Sequence, residues 1–324
     1  MDANNQSLEN WLSLHFGKPF SMSPLQGDAS FRSYFRVWLE DKTYIVMLAP
    51  PSRGEQTAPF VTIARGLAQH GLPVPEVLNW DPEQGFVLLS DLGDTLLLDQ
   101  LNDQSVDGYY SEAMKLLKPL QSAPLQVPVF DETHLRRELS LFRDWFVEKL
   151  LGIHLTSAVE KLFEQMNQIL IHHFHSQPQV VVHRDYHSRN LMVLNENHQL
   201  GIIDFQDAMI GPITYDLVSL LKDCYIDWPR EKVCGWVKQF CSSEYDDAEF
   251  LQWFDAVGLQ RHLKVLGIFS RLKLRDNKPG YLKDTPRILN YVLEATKQIA
   301  ELEPFDHWLR EEIVTRTQPE IHVA

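Results

Sequence analysis

Residues 183–190 are His-Arg-Asp-Tyr-His-Ser-Arg-Asn, and residues 202–205 are Ile-Ile-Asp-Phe. These two segments place Asp185, Asn190 and Asp204 in the order and spacing that phosphoryl transfer from Mg-ATP requires. One carboxylate has to lie near the attacking hydroxyl, while an amide and a second carboxylate hold Mg²⁺ on the phosphates. Each segment follows a short apolar strand, which holds such groups rigidly and leaves their side chains exposed. The pattern therefore predicts a site for phosphoryl transfer.

The three polar side chains have separate predicted roles. Asp185 is the predicted general base or the group that orients the acceptor hydroxyl. The second role is favoured by a largely dissociative transition state, in which positioning matters more than proton abstraction. Asn190 and Asp204 are predicted ligands of Mg²⁺. The structural alternatives are a turn aspartate that satisfies backbone donors at position 185 and a merely solvated carboxylate at position 204.

Length, charge and termini limit the class of protein. The chain has 324 residues and a mass of 37.6 kDa, and its 30 Lys and Arg residues against 44 Asp and Glu residues give a net charge of −14. Such an acidic chain is not expected to bind nucleic acid or a membrane, since both need a broad basic surface. A polar start, no run of about 18 apolar residues and three cysteines outside any zinc spacing predict a cytoplasmic location.

Two regions of different patterning succeed one another along the chain. Residues 20–90 alternate in a way that predicts a small antiparallel sheet with one helix. After a hinge at 88–93, helical patterns dominate, and only the strands around 179–204 interrupt them. The predicted fold class is α+β, with an N-lobe at 1–92 that binds nucleotide and a C-lobe at 93–324 that carries the catalytic loop, metal site and substrate pocket. The predicted helices cover 103–121, 131–151, 156–176, 213–226, 229–242, 247–269, 284–301 and 304–316.

Several motifs resemble the aminoglycoside phosphotransferase and choline kinase group, which has a two-lobe, protein-kinase-like fold. Residues 183–190 are similar to the catalytic loop of that group, and residues 203–207, Ile-Asp-Phe-Gln-Asp, to its metal-binding segment. Residues 211–217, Gly-Pro-Ile-Thr-Tyr-Asp-Leu, match the next stretch of these proteins. The resemblance covers roughly residues 20–300 and implies an ATP- and Mg²⁺-dependent kinase for a small molecule. Asp216 is expected to cap a helix or, as in that fold, to accept hydrogen bonds from the catalytic-loop backbone.

A narrower likeness concerns the acceptor. Five segments resemble the bacterial cell-wall recycling kinases, which phosphorylate the anomeric hydroxyl of N-acetylmuramate and N-acetylglucosamine: 27–37, 49–51, 88–93, 137–146 and 260–267. The implied product is a sugar 1-phosphate. The alternatives are another small-molecule kinase, acting on an aminoglycoside, choline, homoserine or a different sugar, and a nucleotide-binding pseudokinase that regulates a partner. ATP or GTP as donor, the anomer produced and the oligomeric state are left open.

The nucleotide is expected to be held by the first strands and by the hinge. Ser30 and Arg32 are the candidates for covering its phosphates. Four consecutive hinge residues are expected to hydrogen-bond adenine through their backbone: Leu89, Ser90, Asp91 and Leu92. The strand position at which kinases carry a phosphate-binding lysine is Met47 here, and Arg32, Arg36 or Lys42 are candidates to replace that lysine.

A basic stretch near the C-terminus suits an acidic acceptor. Residues 261–278 hold six Lys and Arg residues and one acidic residue, in a chain that is acidic as a whole. An aminoglycoside is a polycation and needs carboxylates around it, whereas N-acetylmuramate carries a lactyl carboxylate that basic residues can bind. The alternative for each basic residue is a solvated helix face. The candidate acceptor residues are Arg143, Trp145, Asp207, Arg261, His262 and Arg271.

Overall fold

The chain forms two compact units in this computed structural model. The described residues are 3–25, 32–51, 56–195, 197–241, 243 and 245–317. The first unit runs to Gln126 and also contains Arg189–Asp207, and the second is made of Val127–Ser188 and the residues from Ala208 onward. The predicted division at residue 92 separates a nucleotide-binding N-lobe from a C-lobe that carries the catalytic loop. This assignment of functions stays a prediction.

Strands dominate the early part of the chain and helices the later part. Within the described residues the strands are β1 Ser21–Leu25, β2 Ser33–Leu39, β3 Lys42–Leu48, β4 Val77–Asp81, β5 Phe86–Ser90, β6 Gln179–Val182, β7 Leu191–Val193, β8 Leu200–Ile202 and β9 Met209–Pro212. The α-helices are α1 Ala3–Phe16, α2 Ala58–Gln69, α3 Val106–Gln121, α4 Glu132–Leu141, α5 Ser157–His175, α6 Tyr215–Leu221, α7 Arg230–Phe240, α8 Asp247–Leu274, α9 Thr285–Thr296 and α10 Glu303–Trp308. Shorter 3₁₀ segments lie at Leu97–Gln100, Pro279–Asp284 and Ala300–Leu302, and π-helical segments at Phe142–Leu150 and Leu309–Val314. Among the described residues, no helix combines the length and apolar character needed to cross a membrane.

The first unit is built on an antiparallel sheet with strand order β1-β2-β3-β5-β4. Side chains alternate along β2 and β3, so that the fully buried Val37 and Val46 lie on one face, as the period of two predicts. Leu8 and Leu12 of α1 pack against that face. Neither α1 nor β1 was among the elements that the sequence predicts. Pro24 lies in β1, at the edge of the sheet, where a missing N–H breaks no ladder.

Two short pairs of strands carry the motif segments. In the first unit β7 pairs antiparallel with β8, and in the second β6 pairs antiparallel with β9. Residues 183–188 come directly after β6, and Asn190 directly precedes β7. The apolar strands predicted around 179–204 are therefore present: β6 ends directly before His183, and β7 begins directly after Asn190.

Helix α8 is the central element of the second unit. Its residues from Trp253 to Leu266 are buried on every side, as expected of a helix surrounded by others. Gly267 of α8 lies directly against the C-terminal end of α4. A Cβ atom at this glycine would come within 2.3 Å of the carbonyl carbon of Leu141, so that only glycine fits the crossing.

Replacing Gly267 by alanine is expected to destabilise the protein by about 1–3 kcal/mol, because the added methyl group forces the two helix backbones apart. The matched control is Gly235→Ala in α7, where an added Cβ meets nothing within 4 Å. The control should keep or slightly raise the melting temperature, since alanine is the better helix former. Equal melting temperatures for the two variants would show that the close approach at Gly267 is wrong.

Candidate active site

The loop that carries Asp185 is fixed at its start by one buried carboxylate. Asp216, in the first turn of α6, accepts the backbone N–H of His183 at 2.6 Å and that of Arg184 at 2.9 Å. These bonds confirm the second role expected of Asp216. They also hold Arg184 at φ +76°, a left-handed conformation that non-glycine residues adopt only under constraint. Burial raises the pKa of Asp216 to about 6, which leaves it mainly ionised at neutral pH.

A second carboxylate fixes the end of the same loop. Asp223, just beyond α6, accepts the backbone N–H of Ser188 at 2.9 Å and the hydroxyl of Ser188 at 2.5 Å. Asp223 is buried and lies two residues beyond the end of α6. No sequence prediction included Asp223. Two carboxylates, one in the first turn of α6 and one just after this helix, therefore hold residues 183–188 of the catalytic loop in place.

The carboxylate of Asp185 lies in a strongly basic setting. Burial alone would raise its pKa, but Lys264 and then Arg261 outweigh burial and hold the pKa below the ordinary value. The Nη2 atom of Arg261 lies 3.7 Å from Oδ1 of Asp185, and the Arg261 side chain is only 3% exposed. The Asp185 side chain is 41% exposed, so an incoming hydroxyl can reach it. Asp185 is therefore ionised and accessible, as its predicted role requires.

The two predicted metal ligands lie next to each other in the first unit. The β7–β8 register pairs Leu191 with Ile202, and the N–H of Ile203 donates to the carbonyl of Asn190 at 3.1 Å. This register brings Nδ2 of Asn190 to 3.3 Å from Oδ2 of Asp204. Asp204 is exposed and has φ +67°.

These side chains fit Mg²⁺. An amide oxygen and a carboxylate are hard oxygen donors, and Mg²⁺ is usually bound through few protein ligands because it keeps several waters and binds substrate phosphates. No cluster of three or more His, Cys, Asp or Glu side chains suited to a metal occurs in the part of the chain that the structure describes. Both donors of Asn190 and Asp204 are oxygen atoms, which Mg²⁺ prefers, whereas zinc sites are built mainly from nitrogen and sulfur ligands.

Phe205 fixes the backbone beside Asp204. Its ring stacks on that of Phe60 in α2, with 5.2 Å between the centroids and 23° between the planes, and both rings are buried. Gln206 donates to Oδ1 of Asp204 at 2.8 Å. The left-handed conformation of Asp204 is thus supported by an aromatic anchor on one neighbour and a hydrogen bond from the next.

The hinge is fixed by an arginine from β2. Arg36 binds the carboxylate of Asp91 through Nε at 2.7 Å and Nη2 at 3.2 Å, and Nη2 also donates to the carbonyl of Gly93 at 3.1 Å. Asp91 in turn accepts the N–H of Gly93 at 2.9 Å. Arg36 also pairs with Asp94 at 2.5 Å. Its guanidinium is therefore engaged at the hinge, which argues against Arg36 as a substitute for the missing lysine.

The other predicted nucleotide residues are placed differently. Met47 is fully buried, and Lys42 is exposed beside the β2–β3 turn. Arg32 is half-buried directly before β2, whereas Ser30 lies outside the described residues. Leu89 and Ser90 end β5, and Leu92 contacts Gly201 of β8, where a Cβ would come within 2.7 Å of its Cδ1 atom. These roles in nucleotide binding stay predictions.

The predicted acceptor residues separate into several environments. Arg261 faces Asp185, whereas His262 is fully buried, contacts the carbonyl of Lys222 through Nε2 at 2.9 Å and has a pKa that burial lowers to about 3. That setting favours a structural role for His262. The Nε atom of Arg271 has no hydrogen-bond partner among the described residues. Arg261, His262 and Arg271 therefore lie in different environments, although all three belong to the stretch 261–278.

The remaining candidates lie at the surface. Arg143, on the π-helical segment, pairs with its neighbour Asp144 at 2.7 Å and is half-exposed. Lys149 lies over the ring of Trp145, 3.7 Å from its centroid. Asp207 is exposed in the first unit. Contact of these residues with an acceptor stays a prediction.

Glu138, which no sequence prediction included, is connected to the catalytic loop. It is 8% exposed, and its Oε1 atom accepts from Nη2 of Arg184 at 2.5 Å. The signal was present, because Glu138 lies between the buried Leu135, Leu139 and Phe142 at helical spacing. A carboxylate on the apolar face of a helix needs a buried partner.

Similarity to known proteins defines the class. The model of the phosphotransferase enzyme family matches residues 21–254, and the chain belongs to this family. It is 40% identical to an N-acetylmuramate/N-acetylglucosamine kinase of Pseudomonas putida over 292 residues, 87% of this chain and 85% of that protein. It is 38% identical to the kinase of the same name from Neisseria meningitidis serogroup B, over 92% of each chain. The chain is therefore a phosphotransferase, as predicted.

Solved structures confirm the predicted protein-kinase-like fold. ADP-bound aminoglycoside phosphotransferase APH(2'')-Ib superposes with a TM-score of 0.63 at 16% identity, covering 91% of this chain and 99% of that one. An ethanolamine kinase of Plasmodium vivax superposes with a TM-score of 0.66 at 11% identity, covering 89% of each chain. The family defines the class of the protein, and these two structures show its fold.

Proposed function

We propose that this protein is an ATP- and Mg²⁺-dependent kinase that phosphorylates the anomeric hydroxyl of N-acetylmuramate and N-acetylglucosamine. The observation that carries the proposal is the 40% identity, over most of both chains, to a relative named for these two sugars. The ionised, accessible carboxylate of Asp185 supports the chemistry, since phosphoryl transfer to an alcohol needs a group that orients the hydroxyl. The product is a sugar 1-phosphate.

Asp185 orients the anomeric hydroxyl and accepts its proton as the new O–P bond forms and the bond from the γ-phosphorus to the β,γ-bridging oxygen breaks, with ADP as the leaving group. Asp216 and Asp223 keep the loop in place, so that little conformational freedom is lost when the sugar binds. Arg261 and Lys264 keep the carboxylate ionised. The chain thus contributes mainly positioning, which is what a loose phosphoryl-transfer transition state requires.

Asn190 and Asp204 hold Mg²⁺ in the proposed reaction. When bound, the ion neutralises charge on the phosphates of the nucleotide. The support from this chain is the 3.3 Å approach of the two side chains and the anchoring of Phe205 on Phe60. Arg32 is the proposed phosphate ligand in place of the lysine that Met47 replaces.

The acceptor residues remain part of the proposal. Arg261 and Arg271 are the better candidates for the lactyl carboxylate, because Nε of each is buried and without a hydrogen-bond partner among the described residues. Arg143, Trp145 and Asp207 are candidates for contacts to the sugar ring. N-acetylglucosamine has no lactyl group, so variants of a lactyl-binding residue should affect N-acetylmuramate more strongly.

The hinge residues Leu89 to Leu92 are the proposed adenine site, and Arg36 fixes their backbone through Asp91. Arg36→Lys removes the two-point contact, because an ammonium cannot reproduce the fork of a guanidinium. We expect the KM for ATP to rise about 3- to 10-fold with kcat nearly unchanged. The control is Arg65→Lys, an exposed arginine over Trp80. A fall in kcat without a change in KM would contradict a role at the adenine site.

The proposal is tested by offering the purified protein ATP, Mg²⁺ and a panel of acceptors. The panel contains N-acetylmuramate, N-acetylglucosamine, their methyl glycosides, an aminoglycoside, choline and homoserine. We expect transfer to the two free sugars, loss of their reducing end in the product, and no transfer to the methyl glycosides, whose anomeric oxygen is blocked. Preference for another acceptor would reject the proposed substrate. Absence of transfer to every acceptor would favour the alternative function, a nucleotide-binding pseudokinase that regulates a partner. The feature that supports this alternative is the buried Met47 in place of a phosphate-binding lysine.

A further inference from the structure

Glu138 joins several buried polar groups of the second unit. Besides Arg184, its carboxylate contacts Nζ of Lys264 at 3.2 Å and accepts from Nε2 of Gln260 at 3.0 Å. Lys264 also lies 3.3 Å from the hydroxyl of Tyr215. Burial would raise the pKa of Glu138, but Lys264 and Arg184 outweigh it, so the carboxylate is ionised.

Fold stability alone does not explain why a charged group occupies this buried position. A buried ion pair is often no more stabilising than well-packed apolar side chains of similar volume. Both basic partners of Glu138 are instead tied to Asp185. Arg184 is the chain neighbour of Asp185, and Lys264 lies three residues after Arg261 on α8, where Arg261 is 3.7 Å from Asp185 and Lys264 acts to lower its pKa.

We propose that Glu138 is a positioning residue for phosphoryl transfer: by holding Arg184 and Lys264, it sets the place and orientation of the Asp185 carboxylate without touching the reacting atoms. This inference rests on the function proposed above. The proposed role explains why an acidic residue lies on an apolar helix face and why the backbone of Arg184 is held in a left-handed conformation.

The charges around Asp185 predict the effect of neutralising Glu138. Arg184 and Lys264 would then lose the carboxylate that pairs with both of them, and Asp185 is the next carboxylate whose charge acts on each. Two carboxylates raise the pKa of Lys264, and the effect of Glu138 is larger than that of Asp185. The ammonium of Lys264 is therefore expected to shift towards Asp185 and compete with the acceptor hydroxyl for it.

The test uses four variants: Glu138→Gln, Lys264→Met, the double variant, and the control Glu164→Gln. Glu164 also pairs with an arginine of α4, Arg136, at 2.9 Å, and its other oxygen accepts from Gln168 rather than from the catalytic loop. Glu138→Gln should lower kcat for N-acetylmuramate by about 10- to 100-fold and leave the KM for ATP within about 3-fold. Adding Lys264→Met should restore kcat by at least about 10-fold, because the displaced ammonium is gone.

A purely structural role would lower the melting temperature of Glu138→Gln but leave kcat per folded molecule nearly unchanged, because the damage would fall on packing and not on Asp185. The inference is overturned if the double variant is as slow as Glu138→Gln or slower, or if Glu164→Gln loses as much activity as Glu138→Gln. If Glu138→Gln fails to fold, the double variant Glu138→Gln/Lys264→Met, which removes one charge of each sign, decides. A kcat within about 10-fold of that of the unmodified protein supports the inference, and a larger loss overturns it. Inactivity of the unmodified protein towards both sugars would instead reject the proposed function.

Discussion

Asp185→Asn is expected to lower kcat for sugar phosphorylation by at least about 10³-fold, because the loss falls on the positioning of the hydroxyl in the transition state. The KM for ATP should change little, since no predicted nucleotide contact includes this side chain. Asparagine has nearly the same shape and cannot accept the proton. The measurement is single-turnover transfer of phosphate to N-acetylmuramate, with nucleotide binding followed by calorimetry.

The control for this variant is Asp276→Asn, which removes a carboxylate of the same unit that is paired with its sequence neighbour Arg275 at 2.8 Å. It should keep full activity. Asp185 stands beside Arg261 and Lys264, so melting temperatures must accompany the rates. Turnover of Asp185→Asn within about 10-fold of the unmodified protein would show that Asp185 does not orient the acceptor.

Asp204→Asn is expected to lower kcat by about 10²- to 10³-fold and to raise the Mg²⁺ concentration needed for half-maximal rate, because a neutral amide is the weaker ligand for a hard cation. Part of the loss should be recovered at high Mg²⁺. The measurement is the rate of sugar phosphorylation as a function of Mg²⁺ at saturating ATP.

Asp103→Asn supplies the control, since Asp103 is an exposed carboxylate of the same unit before α3. Its Mg²⁺ dependence should equal that of the unmodified protein. An unchanged Mg²⁺ dependence for Asp204→Asn would remove this residue from the metal site. Asp207→Asn, measured in the same way, decides whether that neighbour also contributes to the metal.

Short-range pattern was enough to predict the central strands and the helix of the first sheet. The alternation in β2 and β3 and the apolar stripe of α2 depend on neighbouring residues, so the sequence shows them directly. The position of Asn190 beside Asp204 results from the antiparallel pairing of two very short strands. Asp216 was expected to bind the loop because its motif resembles a known family, and the structure confirms the contact.

Contacts between distant segments were not predictable in the same way. Glu138 meets Lys264 across 126 positions of sequence, and Asp223 meets Ser188 across 35. The first of these contacts depends on how α8 crosses α4, two helices whose backbones come close together at Gly267. No local pattern encodes a helix crossing, so these residues gave no signal beyond their place on a buried face.

The basic stretch at 261–278 shows that a charge count along the sequence does not predict where the charged side chains lie. Counted together, its charges indicate one basic surface for an acidic acceptor. In the structure Arg261 and Lys264 are buried near Asp185, while His262 packs against the backbone of Lys222. Consecutive helical positions point about 100° apart, so a charge count along a helix mixes residues from different faces.

A crystal structure with Mg²⁺, a non-hydrolysable ATP analogue and N-acetylmuramate tests the central claim most directly. We predict that oxygen atoms of Asn190 and Asp204 coordinate the ion at about 2.0–2.1 Å and that the anomeric hydroxyl lies within about 3 Å of the Asp185 carboxylate. An ion held by other side chains, or a sugar whose anomeric hydroxyl lies away from Asp185, would contradict it.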